Sequence, residues 1–352
     1  MRDSVVRTIH GHLRAGWQRT GTVLSSLLAL AITLLGLLLF TFLLTHLAPI
    51  DPALQIAGDR ASESTYLQVR QQLGLDQPLW VQFGHYLTAL AHGDLGISRS
   101  TSQPVFDDLM RAFPATLELA TCAIIIGFVF GVTLALLSVL KPGSLLDNAV
   151  RMISLVGYSV PIFWLGLLSL LLFYAVLHWA GGPGRLDDIY QYTLEPRTGF
   201  VLIDTWLSGD PEMFRNAIRH LWLPACVLGL LSMAGITRLL RAAMLDECHK
   251  EYVLLARAKG AGQLRILLCH VLPNIRGVMV TVLMLSYASL LEGAVLTETV
   301  FSWPGVGRYL TTALFGADIP AILGSTLLIG LCFILMNALA DALIYLTDPR
   351  TR

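Results

Sequence analysis

Apolar residues run along this chain in six long blocks, at about residues 22–47, 115–140, 151–178, 220–243, 274–297 and 320–346, with polar or charged intervals between them. Each block approaches or exceeds the roughly 20 apolar residues that cover a bilayer core. The runs are continuous rather than alternating. That predicts helices, which satisfy their own backbone groups in lipid, and not barrel strands, which would alternate lipid-facing and lumen-facing residues. The expected class is therefore all-α: a polytopic integral membrane protein with six transmembrane helices. Composition agrees, because a chain of 352 residues that is 55% hydrophobic and 14% charged has too little polar surface for a soluble globule.

The intervals set the orientation. Arg2, Arg7, Arg14 and Arg19 precede the first block against a single acid, Asp3, which places that end in the cytoplasm. With six spans, the interval 244–273, carrying Lys250, Arg257, Lys259 and Arg265, and the tail 348–352, carrying Arg350 and Arg352, also fall inside. The long intervals 48–114 and 179–219 fall outside, and the first is rich in Asp and Glu. Its length predicts a structured, functional loop, with helices over 65–73 and 81–90 and a turn at Leu75-Asp76-Gln77-Pro78. Pro114 is expected in the first turn of the second span, where a proline is welcome. Residues 1–21 read as a cytoplasmic extension before an uncleaved anchor, since the first apolar block is longer than a signal peptide core. Residues 115–347 form the membrane core.

The cytoplasmic interval carries the most distinctive pattern. Glu251-Tyr252-Val253-Leu254-Leu255-Ala256-Arg257-Ala258-Lys259-Gly260 predicts a short basic helix between two spans. Ala256 and Ala258 permit close approach, Arg257 and Lys259 suit a last turn, and Gly260 suits a left-handed stop. Such a helix is where another protein would push. Further on, Pro273 ends a second short helical run and Asn274 is expected to cap the fifth span.

Within the spans, ionisable groups are expensive and default to functional candidates. Glu118 falls in the first turns of the second span, Glu292 and Glu298 near the outer end of the fifth, and Asp341 near the inner end of the sixth. Glu118 and Glu292 fit either a pathway that attracts a cationic amino group or structural hydrogen bonding. Glu298 and Asp341 fit headgroup depth, paired with Arg308 and Arg350. Pro161 should kink the third span within Gly157-Tyr158-Ser159-Val160-Pro161-Ile162-Phe163-Trp164, which brings Tyr158 and Trp164 forward as pathway aromatics. His46, His178 and His220 sit near span ends.

Other chemistry is excluded by pattern. No Gly-x-x-x-x-Gly-Lys-Ser/Thr occurs, so any ATP is hydrolysed by another chain. No serine has the context of a nucleophile elbow, which argues against a membrane hydrolase. The five cysteines avoid the long outside loops and show no metal-ligand spacing with histidine, so neither a disulfide framework nor a metal site is expected.

Several motifs recur in a fixed order: Pro49-x-Asp51-Pro52, Leu73-Gly74-Leu75-Asp76-x-Pro78, Gly93-Asp94-Leu95-Gly96-x-Ser98 and Phe113-Pro114-Ala115-Thr116-Leu117-Glu118. They continue with Gly157-Tyr158-Ser159-x-Pro161-x-Phe163-Trp164, Thr198-Gly199-Phe200-x-Leu202-Ile203-Asp204 and Tyr252 to Gly260. Thr297-Glu298-x-x-Phe301-Ser302-Trp303-Pro304-Gly305-x-Gly307 follows, and Asp341 with Tyr345 and Asp348-Pro349-Arg350 closes the series. In this the chain resembles the permease subunits of ABC-type dipeptide, oligopeptide and nickel importers, most of all the first permease of dipeptide systems. Leu254-Leu255-Ala256 stands where the general permease pattern has Glu-Ala-Ala.

The resemblance implies a bacterial inner-membrane importer of short peptides built from this chain, a sister permease, two ATPase subunits and a periplasmic binding protein. ATP and Mg would be used by the partner subunits and no cofactor would be bound by this chain. Residues 252–260 would then be the ATPase-coupling element. A pathway for cationic peptides, polyamines or nickel is the alternative within the family, and an ATP-independent secondary transporter the alternative outside it. Inverted repeats, the mark of the latter, are not evident.

Overall fold

The computed structural model describes residues 28–347, except 29, 44, 45, 47–51, 59, 60 and 73. The expected extension 1–21, the start of the first span, Asp51 and Arg350 lie outside these residues, as do the side chains of Glu292 and Asp341. Among the described residues the structure is helical throughout, with one isolated bridge between Ile97 and Pro104.

The chain divides into two units. The first comprises residues up to Asp94 together with Thr326–Ile334. It contains α1 (Leu30–Leu43), α2 (Pro52–Ala57), α3 (Glu63–Gln72) and α4 (Leu79–Ala91). The two helices expected in the long loop are thus α3 and α4, each starting two residues earlier than expected. Phe42 of α1 packs its ring against Phe83 and Tyr86 of α4, and His46 bonds Gln82 Oε1 at 3.1 Å. Burial pushes the Tyr86 hydroxyl up to about 12. Gly330 is where α1 comes closest to the 326–334 segment, because a Cβ there would lie 2.4 Å from Leu37 Cδ2.

The second unit holds Leu95–Ser325 and the residues from Leu335 onward. Its centre is the pair α5 (Val105–Leu140) and α10 (Pro211–Cys248), of 36 and 38 residues. At about 1.5 Å per residue each outruns a hydrocarbon core of roughly 30 Å and must project beyond it. Small residues bring the two helices together. A Cβ on Gly127 would fall 1.9 Å from Ser232 Oγ and 2.8 Å from the Gly229 carbonyl oxygen, and one on Gly131 would fall 2.8 Å from Ile236. Lipid supplies no hydrophobic drive between helices, so this close backbone approach is what packing relies on. Around the seam, Ala115, Leu119, Ala123, Leu228, Ile236, Leu240 and Met244 form the buried core.

Three expectations about this region are corrected. The second span begins ten residues early, so Pro114 lies inside α5 rather than in its first turn. The expected kink at Pro161 is a full break: α6 (Leu145–Ser159) and α7 (Ile162–Ser169, continued as a π-helical stretch to Val176) meet at 99°. Val160 takes an extended conformation because a residue preceding proline is forced out of the helical region, and Pro161 then caps a new helix. Finally, Asn274 does not cap the fifth span. Its Nδ2 donates to the His270 carbonyl at 2.7 Å, closing the run from α12 (Gln263–Ile266) through a π-helical turn to α13 (Leu272–Asn274).

Short outer helices α8 (Asp188–Gln191) and α9 (Val201–Ser208) precede α10, and α11 (Glu251–Ala258) follows it. Then come α14 (Arg276–Val300), α15 (Val306–Phe315) and α16 (Ile319–Thr347). Among the described residues three helices, α5, α10 and Ile319–Ala340 of α16, are individually long and apolar enough to cross a membrane. The count reaches five when each of the bent pairs α6–α7 and α12–α14 is one span.

Candidate functional site

Three groups of residues singled out by the sequence are brought together differently. The first joins motifs nearly two hundred residues apart toward the N-terminal end of α5. Thr116 Oγ1 donates to Glu298 Oε1 at 2.6 Å and accepts from the Val306 backbone N–H at 2.8 Å. Arg308 donates its backbone N–H to Glu298 Oε2 at 3.1 Å, while its guanidinium turns to the Ser302 carbonyl at 2.7 Å. Trp303, fully buried, donates Nε1–H to the Ala115 carbonyl at 2.8 Å. Gly305 and Gly307 are required here, since a Cβ on either would meet the Glu298 carboxylate at 2.3 and 2.9 Å. Glu298 is 0% exposed. The expectation of a headgroup-level pair with the Arg308 side chain is therefore corrected: the main chain of the 305–308 turn does the binding.

Glu118, two residues after Thr116 on α5, is likewise buried. Its Oε2 pairs with Arg185, and its Oε1 accepts from the Leu202 backbone N–H at 2.8 Å. Arg185 also donates to the Gly199 carbonyl at 3.0 Å and stands 5.5 Å from the Trp303 ring centroid. Arg185 was not singled out by the sequence reading; the Gly181-Gly182-Pro183-Gly184 breaker just before it was the available signal. Both carboxylates are buried, and each holds internal donors on both of its oxygens. Glu292 lies in α14, with its side chain outside the described residues.

Around this knot the outer loops are held by further carboxylates. Asp204 accepts from Thr198 N–H at 2.9 Å, Thr198 Oγ1 at 2.7 Å and Gly199 N–H at 3.0 Å. Burial pushes its pKa up, but these bonds together with the Arg197 backbone outweigh burial and leave it below the ordinary aspartate value. Asp318 Oδ2 gathers Ser98 Oγ at 2.7 Å, Arg99 N–H at 2.7 Å and Ser100 N–H at 3.1 Å. The motif residues Ser98, Thr198 and Gly199 are thus donors to buried carboxylates.

The second group lies at the α6–α7 break. Tyr158 and Trp164 are 59% and 52% exposed, on either side of Pro161. Tyr158 carries the Arg238 guanidinium 5.1 Å from its ring centroid. These side chains are available to a passing solute or to another subunit.

The third group is α11. Val253 is fully buried and Ala256 nearly so, both within the core that contains Met244, Ile266 and Leu267. Leu254 and Leu255 are exposed, as are Arg257, Ala258, Lys259 and Gly260. Ala256 thus packs into this chain's own core, while its neighbours on α11 face outward. Gly260 does take the left-handed stop, at φ +84. Tyr252 donates to Glu247 Oε1 at 2.6 Å, and Lys250 pairs with Glu247 Oε2 at 2.7 Å, so α11 is tied to the end of α10. Burial first, and the bond to Glu247 second, push the Tyr252 hydroxyl up to about 12. No group of three metal-ligating side chains occurs among the described residues.

Comparison with known proteins fits this arrangement. Residues 127–352 match the family described as binding-protein-dependent transport system inner membrane component, and residues 22–120 match its N-terminal companion. The probable D,D-dipeptide transport system permease protein DdpB of Escherichia coli K12 is 44% identical over 91% of this chain and 94% of its own length. The dipeptide transport system permease protein DppB of the same strain is 41% identical over 91% and 95%. The di/tripeptide transport system permease protein DppB of Pseudomonas aeruginosa UCBPP-PA14 is 43% identical over 91% and 95%. An inward-facing structure of the MetNI methionine ABC transporter superposes with a TM-score of 0.53 at 17% identity, covering 68% of this chain and 96% of that one, a likeness of fold. By family match, fold and apolar helices together, this chain belongs to the inner-membrane permease components of binding-protein-dependent ABC importers.

Proposed function

We propose that the chain forms half of the translocation pathway of an ATP-driven importer of short peptides. Six spans would carry both termini to the cytoplasm. Its partners would be a sister permease, two ATPase subunits that bind ATP and Mg, and a periplasmic binding protein, with no cofactor on this chain. The substrate class is supported by the peptide permeases it resembles over nine-tenths of its length.

The observation that carries the mechanism is the two-sidedness of α11. Val253 and Ala256 fasten the helix into the core beneath α10, while Leu254, Leu255, Arg257 and Lys259 are offered outward. Force applied to the outer face by a closing ATPase dimer is passed to α10 and α14 without passing through a flexible link. Nucleotide and binding protein shift the inward and outward states only by their differential affinity for them, so each must favour one state. In proteoliposomes containing the assembled complex, Leu255→Asp should abolish ATP-driven peptide uptake while leaving the amount of assembled permease unchanged. Undiminished uptake by that variant rejects coupling through α11, and uptake by the purified chain alone on an ion gradient would replace the reading with a secondary transporter.

A further inference from the structure

Between α6 and α10, on the side toward α11, lies a cavity of about 460 Å³. Its wall includes Arg151, Ser154, Tyr158, Arg238 and Arg241, with Met152 and Leu155 supplying apolar surface. The three guanidinium groups differ in their commitments. Arg241 is fully engaged, donating to both oxygens of Asp147 at 2.9 Å and to Ser138 Oγ at 2.7 Å. Arg238 has the Tyr158 ring, and neither it nor Arg151 forms an ion pair among the described residues. Ser154 is 9% exposed, and its Oγ has no hydrogen-bond partner.

That combination points to a ligand. Arg238 and Arg151 are exposed along the cavity wall, and no carboxylate among the described residues meets either guanidinium. An aromatic ring contributes about 0.5–2 kcal/mol to a guanidinium but accepts none of its in-plane N–H bonds. A carboxylate or phosphate does, two at a time. A buried hydroxyl without an acceptor adds a further donor beside it.

We infer that this cavity is an oxyanion subsite in which Arg238, Arg151 and Ser154 receive the C-terminal carboxylate of the carried peptide, an assignment that rests on the peptide-import reading. The carboxylate is common to unmodified peptides of every sequence, so a subsite for it serves substrates whose side chains vary. The apolar wall of Met152 and Leu155 accommodates those side chains without selecting among them. An anionic lipid phosphate presents the same oxyanion chemistry, and the experiment separates the two.

The complete importer, with its binding protein, is reconstituted in proteoliposomes of phosphatidylcholine alone or with added phosphatidylglycerol. ATP-driven uptake of alanyl-alanine is compared with that of its C-terminal amide. The same binding protein serves wild type and variant, so a change in the acid-to-amide ratio reports on the permease. Arg238→Gln should lower that ratio roughly tenfold in both lipids, with Arg238→Lys recovering most of it. Ser154→Ala, which removes a hydroxyl with no internal partner, should lower it about threefold. An unchanged ratio in Arg238→Gln and Ser154→Ala overturns the inference. Equal loss of both peptides confined to the phosphatidylglycerol vesicles also overturns it, by giving the site to a lipid. A wild-type complex that carries neither peptide refutes the import reading itself, and the assignment with it.

Discussion

Thr116 and Glu298 are 182 residues apart in the chain and share a buried hydrogen bond of 2.6 Å, with Thr116 at the same time receiving the Val306 backbone N–H. One threonine hydroxyl thereby joins the N-terminal third of α5, the end of α14 and the start of α15. The three elements cannot separate without stranding a carboxylate that has no access to water.

From this follows a stability prediction. Removing a neutral hydrogen-bond donor from a buried carboxylate costs about 1.5–3 kcal/mol. Thr116→Val should lower the thermal unfolding midpoint of the detergent-solubilised protein by several degrees. Gly305→Ala should do as much or more, since its Cβ would sit 2.3 Å from Glu298 Oε1. Thr116→Val with Gly305→Ala should cost less than the sum of the two, because both disturb the same carboxylate. Full additivity in the unfolding midpoints would contradict a shared network.

The Glu118–Arg185 pair yields a related but separable outcome. Arg185→Met alone leaves Glu118 buried with one backbone donor, and Glu118→Leu alone leaves Arg185 with the Gly199 carbonyl and the Trp303 ring. Each single change is expected to destabilise by about 3–5 kcal/mol, whereas the double change to apolar residues of similar volume should recover much of the loss. Equilibrium unfolding in detergent would show it; a double variant as poor as the worse single one would mean that the pair itself contributes the stability.

Acid should loosen the 198–204 turn by a route that can be assigned. The pKa of Asp204 is lowered in the folded protein, so its stabilisation is fully present above the unfolded value of about 3.9 and is lost as pH falls through the lower folded value. Hydrogen exchange of the Thr198 and Gly199 amides, which bond this carboxylate, should accelerate below about pH 4 in wild type. In Asp204→Asn the exchange is faster at neutral pH and lacks that acid step. An identical acid step in the Asn variant would assign the titration to another group.

How much of this was legible in the sequence depends on the range of the interaction. The all-helical, apolar character of the chain follows from hydrophobic runs, and α11 with its Gly260 stop follows from local propensity and backbone freedom, so both were readable. The outer knot was readable only as a set of motif residues, because what Glu118 and Glu298 do is decided by Arg185, Thr116 and the 305–308 turn, all distant in the chain. A lone acid in an apolar run has the same sequence signature whether it is exposed to a pathway or sealed. The 99° break was under-read as a kink, since the sequence shows Pro161 but not that α10 and α14 offer α7 a packing site away from the α6 axis. Gly127-x-x-x-Gly131 was present as a small-residue signature of close helix packing, and it marks the α5–α10 seam. Gly127→Leu should consequently prevent accumulation of folded permease, whereas Gly293→Ala, where no atom lies within 4 Å of an added Cβ, should be tolerated; equal membrane levels of the two would deny the seam its role.

The two faces of α11 give the last prediction. Ala256, expected with Ala258 to permit close approach of a partner, is buried against this chain's own core, while Leu255 beside it is 57% exposed. An arginine at either position should stop uptake, but for different reasons. Ala256→Arg places a charge among Val253, Ile266 and Leu267, a burial that costs several kcal/mol unless the helix lifts away. Its loss of uptake should be accompanied by faster proteolysis of the 249–262 segment in the isolated permease. Leu255→Arg leaves the anchoring face intact, so that segment should be cut at the wild-type rate, and the defect should appear only when ATPase subunits are added, as weakened association. If both variants are digested alike, or if Leu255→Arg binds the ATPase subunits normally, the outward face of α11 is not where force enters.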